Sequence, residues 1–148
     1  MIRVYTSGTF DLFHYGHLNV LLEGKKLGHL TVGVSTDELV ESYKGLKPIM
    51  NYTDRYSIIK ELRCVDEVII QETFFDVKQL KNIDIIVLGD DWIDKPFPEL
   101  DVALKALKIE MRYIPYTKRL STSKIKKYIV DNSDSIIMNL ENRGTQIK

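Results

Sequence analysis

A short β-type run, Ile2 to Thr6, passes directly into Gly8-Thr9-Phe10-Asp11-Leu12-Phe13-His14-Tyr15-Gly16-His17, and an amphipathic helical pattern follows at once. Strand, glycine-containing turn and helix, in that order, open a parallel βαβ unit, and the start of such a helix is where the sheet holds an anion. The turn supplies two histidines, one acid and two glycines at that place. The remaining chain has to be compatible with this opening.

It is. Short apolar runs alternate with helical patterns, the arrangement of a parallel α/β sheet. Strands are expected at Ile2–Ser7, Leu30–Ser35, Glu67–Ile70, Ile83–Leu88 and Glu110–Ile114. Ile85-Ile86-Val87-Leu88 is continuously apolar, as a strand covered on both faces should be. Helices are expected near His17–Leu27, Asp54–Leu62, Asp76–Leu80 and Leu100–Leu107, with a last one beginning near Ser121. Leu18, Leu21 and Leu22 form the stripe of the first, and Gly28 stops it. Thr53 is the expected cap of the second, and Ser121 that of the last. The expected organisation is one catalytic domain over 1–131 and a polar extension over 132–148, helical against a partner or frayed.

With 148 residues, such a domain buries about 68–70% of its unfolded surface and folds without a metal or disulfide staple. Its 21 basic and 21 acidic residues cancel, so no global field draws in nucleic acid or an anionic membrane. Cys64 is the only cysteine, which excludes an internal disulfide and fits a reducing compartment. It reads as a small buried residue rather than a reactive thiol. No apolar run is long enough to span a bilayer, and the expectation is a cytoplasmic protein.

Four segments can carry chemistry. His14 and His17, three apart, share a face if both lie in the first helical turn, and Gly16 between them permits close approach of a ligand. Imidazoles beside a helix N-terminus can donate to phosphate oxygens as charge develops. The alternatives are two satisfied polar histidines, or a metal pair with Asp11 that no further His or Cys cluster supports, His29 being remote and exposed. Lys44-Gly45-Leu46-Lys47-Pro48 reads as a loop whose lysines reach a polyphosphate or are merely solvated, and Arg55 as a phosphate clamp or a surface charge.

Gly89-Asp90-Asp91-Trp92 follows the most buried strand, where open α/β sheets bind ligands. Its carboxylates orient a hydroxyl or amino group, assist a hydrated Mg²⁺, or simply cap a turn. Tyr116-Thr117-Lys118-Arg119-Leu120-Ser121-Thr122-Ser123-Lys124 opens the last helix. It offers Ser121 and Thr122 hydroxyls to a second phosphate, or a Ser121 cap with its lysines on a solvated face.

Together these segments resemble the cytidylyltransferase-type nucleotidyltransferase superfamily over about the first 130 residues. G-T-F-D followed by H-x-G-H is its signature, here Gly8–Asp11 and His14–His17. Lys44-Gly45, Asp54-Arg55-Tyr56 and Val65-Asp66-Glu67-Val68 resemble further landmarks. Gly89-Asp90-Asp91-Trp92 is similar to the segment in glycerol-3-phosphate cytidylyltransferases of bacterial cell-surface polymer synthesis. Leu120-Ser121-Thr122 matches the end of the family's R-T-E-G-I-S-T.

The resemblance implies a Rossmann-like open parallel sheet with helices on both faces, and a homodimer. It also implies transfer of a cytidylyl group from CTP to a small phosphorylated alcohol, glycerol 3-phosphate first among candidates. On its pattern His14, His17 and Lys44 are catalytic. Gly8, Thr9, Phe10, Asp11, Gly16, Gly89, Asp91, Tyr116, Thr117, Arg119, Ser121 and Thr122 bind the nucleotide. Lys47, Arg55, Lys78 and Trp92 bind the acceptor. Mg²⁺ arrives with CTP rather than on protein side chains. An adenylyltransferase of the FAD synthetase kind, or a catalytically silent nucleotide-binding module, are the alternatives.

Three departures bear on the substrates. Y-T-K-R-L-S-T replaces R-T-E-G-I-S-T, so Tyr116 stands for the family arginine, with Arg119 expected to supply the missing charge. Phe74 stands about where the glycerol-3-phosphate enzymes carry tryptophan. Asp94-Lys95-Pro96-Phe97-Pro98 makes the loop after Trp92 stiffer.

Overall fold

The computed structural model describes residues 1–94 and 98–144, so the stiff-loop expectation for Lys95, Pro96 and Phe97 lies outside the described residues. Five strands, β1 (Arg3–Gly8), β2 (His29–Ser35), β3 (Glu67–Gln71), β4 (Ile85–Gly89) and β5 (Glu110–Ile114), form one parallel sheet ordered β3-β2-β1-β4-β5. The helices are α1 (Tyr15–Leu27), α2 (Asp37–Lys44), α3 (Tyr52–Lys60), α4 (Val77–Leu80), α5 (Pro98–Leu107), α6 (Thr122–Asp131) and α7 (Ser133–Asn142).

The sheet winds outward from β1 in one direction and from β4 in the other. Right-handed crossovers therefore put the two sets of helices on opposite faces. Val4, Val32, Val34, Ile85 and Val87 pack with Leu21 and Ile59 on the α1–α3 face. Tyr5, Ile86 and Leu88 pack with Leu80, Leu100 and Ala103 on the α4–α5 face. The apolar run of β4 thus feeds both cores in alternation. Cys64 belongs to the first core, and burial pushes its thiol pKa up.

β1 and β2 pair from Arg3↔His29 to Gly8↔Val34, whereas β1 and β4 pair only at Val4↔Ile85 and Tyr5↔Ile86. Beyond Tyr5 the two strands part, and the crevice between their carboxyl ends lies at the point where the winding reverses. That is where open α/β sheets bind ligands.

Local departures from expectation have local causes. A 3-10 turn, Asp90–Trp92, follows β4. α2 falls where no helix was expected: Thr36 caps it by accepting the Leu39 N–H at 3.1 Å, and Gly45 closes it at φ +75°, which favours glycine. Lys44 is thus the last helical residue rather than a loop residue. Asn51, not Thr53, caps α3, accepting the Asp54 N–H at 2.9 Å. Ser121 caps α6 as expected. His29 is half-buried rather than exposed, with Asp66 4.0 Å away.

Candidate active site

The crevice holds a cavity of about 570 Å³ lined by the turn after β1, the start of α1, the end of α2, Gly89–Trp92 and the start of α6. The histidine pair lies on its wall. His14 is the N-cap of α1, its Nδ1 accepting the Gly16 N–H at 3.0 Å, and His17 Nδ1 accepts the His14 N–H at 3.3 Å. This reciprocal capping box uses imidazoles where Ser and Glu commonly serve. With Nδ1 of each ring an acceptor, the proton of each neutral ring sits on Nε2.

The rings stack at 3.9 Å between centroids. His14 Nε2 lies 3.3 Å from Thr122 Oγ1, whose own hydrogen goes to the Asp11 carbonyl at 2.9 Å. His17, beside Phe10 and Phe13, keeps its Nε2–H as a donor on the cavity wall. Burial, then the neighbouring His14 and Lys44, push the His17 pKa down to about 3, with Asp11 opposing. Burial also lowers His14.

Gly16 lines the cavity, and a Cβ there would stand 2.8 Å from the His14 ring, so the glycine also makes room for the cap.

The turn before the histidines is held unusually hard. Phe10 and Leu12 have φ of +56° and +48°, strained for side chains of this kind. Asp11, 4% exposed, accepts N–H bonds from Ile49 and Met50, both at 2.9 Å, and faces Lys126 Nζ at 3.6 Å. Burial pulls its carboxyl pKa up, but the Met50 and Ile49 N–H groups and the Lys126 ammonium reverse this and hold it below the ordinary value.

Arg55 is fully buried, so the acceptor-phosphate role expected for it gives way to a structural one. It donates to the carbonyls of Met50 (2.9 Å), Thr9 (2.6 Å) and Ser35 (2.8 Å), and to Asp37 Oδ1 (2.6 Å). Asp11 and Arg55 therefore grip the 49–50 segment from both sides and tie it to the ends of β1 and β2. Ser35, Gln71 and Ser7 add a hydrogen-bonded row across the ends of β2, β3 and β1, buried between Ser35 and Gln71 and half-buried at Ser7.

Lys44 and Lys47 line the cavity from exposed positions, as do Tyr43 and Leu46. Tyr43 OH is 3.0 Å from Thr9 Oγ1, and its ring meets the Phe74 edge at 5.0 Å. The two carboxylates after β4 divide their work: Asp90 accepts the Tyr116 N–H at 2.8 Å, and Asp91 lines the cavity with Gly89 and Trp92. Among the described residues no three His, Cys, Asp or Glu converge as a metal site.

Gly8, Thr9, Phe10, Tyr116, Thr117, Ser121 and Thr122 also line the cavity. The Ser121 hydroxyl oxygen accepts the Lys124 N–H and keeps its own hydrogen to donate, whereas the Thr122 hydroxyl donates to the Asp11 carbonyl. Two expected residues are elsewhere. Arg119 is exposed with its guanidinium over the Tyr15 ring, 5.3 Å from its centroid, and Lys78 is exposed on α4. Neither lines the cavity.

Asp37, Tyr43, Gln71 and Lys126 were missed in the sequence. Of these only Lys126 had a readable signal, since it follows Thr122 by four and shares its helix face.

The sequence model described as cytidylyltransferase-like matches residues 5–128. A glycerol-3-phosphate cytidylyltransferase of Bacillus subtilis is 41% identical over 133 residues, covering 87% of this chain and 98% of its own. An FAD synthase of Thermococcus sibiricus is 40% identical over 134 residues, covering 86% and 90%. The crystal structure of the lipopolysaccharide core biosynthesis protein from Thermoplasma volcanium superposes with a TM-score of 0.63 at 34% identity, covering 79% of this chain and 97% of that one. No helix among the described residues is long and apolar enough to cross a membrane. A histidine pair on the crevice where β1 and β4 part agrees with these likenesses: the chain belongs to the cytidylyltransferase-like family and is an enzyme of the nucleotidyltransferase kind.

Proposed function

We propose that the protein transfers a cytidylyl group from CTP, entering with Mg²⁺, to a small phosphorylated alcohol, glycerol 3-phosphate first among them. The observation that carries this is the His17 Nε2–H on the wall of a cavity shared with Lys44, Lys47 and the first turns of α1 and α6. An acceptor phosphate oxygen attacks the α-phosphorus of CTP, the bond from that phosphorus to the bridging oxygen breaks in line, and pyrophosphate departs. The chain needs no nucleophile of its own, so catalysis is positioning and charge stabilisation. His17 donates to the transition-state oxygens, His14 positions it, and Lys44 offsets repulsion between the reacting phosphates. Lys47 and Trp92 face the acceptor. A homodimer in the cytoplasm completes the reading.

A second reading is favoured by one feature of the cavity. Tyr43, Phe74, Phe75 and Trp92 give it aromatic walls, suited to a planar acceptor such as FMN with ATP as donor. The near-equal identity to the FAD synthase supports keeping it. Pyrophosphate release measured with CTP or ATP against glycerol 3-phosphate, other polyol phosphates and FMN separates the two. CTP turnover with a polyol phosphate is expected. ATP turnover confined to FMN replaces the first reading with the second, and nucleotide binding without turnover makes the chain a silent module.

A further inference from the structure

Lys44 has to hold an ammonium between two phosphates from the last residue of an exposed helix end. A lysine side chain gives up the rotamer freedom of a long, flexible stem when it is ordered there. Each histidine has a backbone N–H on its ring to fix it, and the lysine needs an equivalent. Its neighbour in the chain supplies one.

Tyr43, in the last turn of α2, makes three contacts on the cavity wall. Its hydroxyl lies 3.0 Å from Thr9 Oγ1, its ring packs edge-on with Phe74 at 5.0 Å between centroids, and Lys44 Nζ stands over its face, 5.5 Å from the centroid. The first two partners are themselves fixed. The Thr9 carbonyl accepts from Arg55 at 2.6 Å, and Phe74 packs against the second core beside Phe75, which is 4% exposed. Tyr43 is 41% exposed and belongs to neither core, so these contacts rather than burial place its ring. An ammonium within about 6 Å of a ring centroid is drawn to the ring face. Unlike a carboxylate, that face neither takes an N–H bond nor neutralises the charge, so the cation it holds still serves a phosphate.

We propose that Tyr43 is a positioning residue for the transfer: its hydroxyl on Thr9 and its ring on Phe74 fix the end of α2 against the turn after β1, and its face holds the Lys44 ammonium where the two phosphates meet. The proposal rests on the nucleotidyl-transfer reading and on the part of Lys44 in it. It holds for either donor, because the lysine lies between reacting phosphates in both. Displacing a reacting group by about 1 Å can cost about 10²-fold in rate, so one link at the base of a flexible cation has a measurable effect. Tyr43 does not touch the reacting atoms; it acts through Lys44.

The readout is the single-turnover rate with enzyme in excess over radiolabelled nucleotide, which stays measurable in slow variants. Donor and acceptor are the pair that wild type uses fastest among CTP or ATP with glycerol 3-phosphate, other polyol phosphates and FMN. Tyr43→Phe keeps the ring and loses the hydroxyl. It should slow transfer roughly three- to tenfold, the size of one net hydrogen bond, with the nucleotide Kd little changed. Tyr43→Leu, which loses the ring as well, should be slower again. Tyr128→Phe, 65% exposed on α6 and outside the cavity lining, should match wild type. In a Lys44→Gln background Tyr43→Phe should have almost no further effect, because a residue acting through the lysine has nothing left to place. Circular dichroism and melting temperature establish that each variant is folded. A Tyr43→Phe rate equal to wild type, or the same fold-loss with and without Lys44, overturns the assignment alone. An undiminished rate in Lys44→Gln overturns it together with the part given to the lysine. A wild type that turns over none of the pairs overturns it together with the nucleotidyl-transfer reading.

Discussion

The two walls of the cavity are built on opposite principles. The wall from Thr9 to His17 is strained and cross-braced: Asp11 ties it to Ile49 and Met50, Arg55 ties it to the end of β2, and each imidazole has a backbone N–H on Nδ1. The wall from Tyr43 to Lys47 is an exposed helix end and loop. Preorganised donors lower a barrier because they need not reorganise when charge develops, whereas a cation that meets the incoming substrate can remain solvated. The braced wall suits the reacting phosphates, and the open one suits substrate entry.

Substitutions can break this contrast, beginning with the braces. Arg55→Ala removes a buried charge and leaves three carbonyls and Asp37 without their partner. It should cost about 3–5 kcal/mol in urea denaturation, and a loss under about 1 kcal/mol would mean that the wall stands without its brace. Arg55→Lys should recover little of this, because a point charge cannot span four acceptors.

His17→Gln should lower kcat roughly 10²- to 10³-fold with much smaller change in stability. It should also flatten the acid limb of stability. An unfolded histidine takes up a proton near the ordinary 6.5, but His17 in the fold does so only near 3. The unfolded chain thus binds more protons between those values, and stability falls as pH drops through that window. His14, also lowered, acts in the same direction. The contribution of Asp11, whose carboxyl is held below the ordinary 3.8, persists above that value and disappears only in stronger acid. Melting temperatures of wild type and His17→Gln that decline identically from pH 6.5 to 4 would refute the neutral, buried imidazole.

The smallest effect belongs to the open wall. Lys47→Gln should leave stability within about 0.5 kcal/mol while raising the acceptor KM a few-fold. A parallel loss of stability would show that this wall is braced too.

The order of elements was readable because β-strands covered on both faces, such as Ile85–Leu88, have an unambiguous pattern. α2 was not, since only Val40 of its eight residues is buried and its apolar residues, Leu39, Val40 and Tyr43, span little more than one turn. The histidines were readable as a pair by their spacing, but not as each other's caps, which depends on ring orientation. Arg55 and Lys126 show why charged residues mislead. Both occupy polar helical stretches, and only the tertiary packing decides that one is swallowed by the core and the other turned into the cavity.

One atom in the braced wall serves two masters. The Nδ1 lone pair that begins α1 belongs to a titratable ring, so a helix start usually entrusted to an inert hydroxyl here depends on a base. Anyone engineering this enzyme meets that at once: truncating His14 to alanine removes a cap and an imidazole together, and rate and stability fall as a single quantity. Asparagine, which can still accept the Gly16 N–H, is the replacement that pulls the two apart.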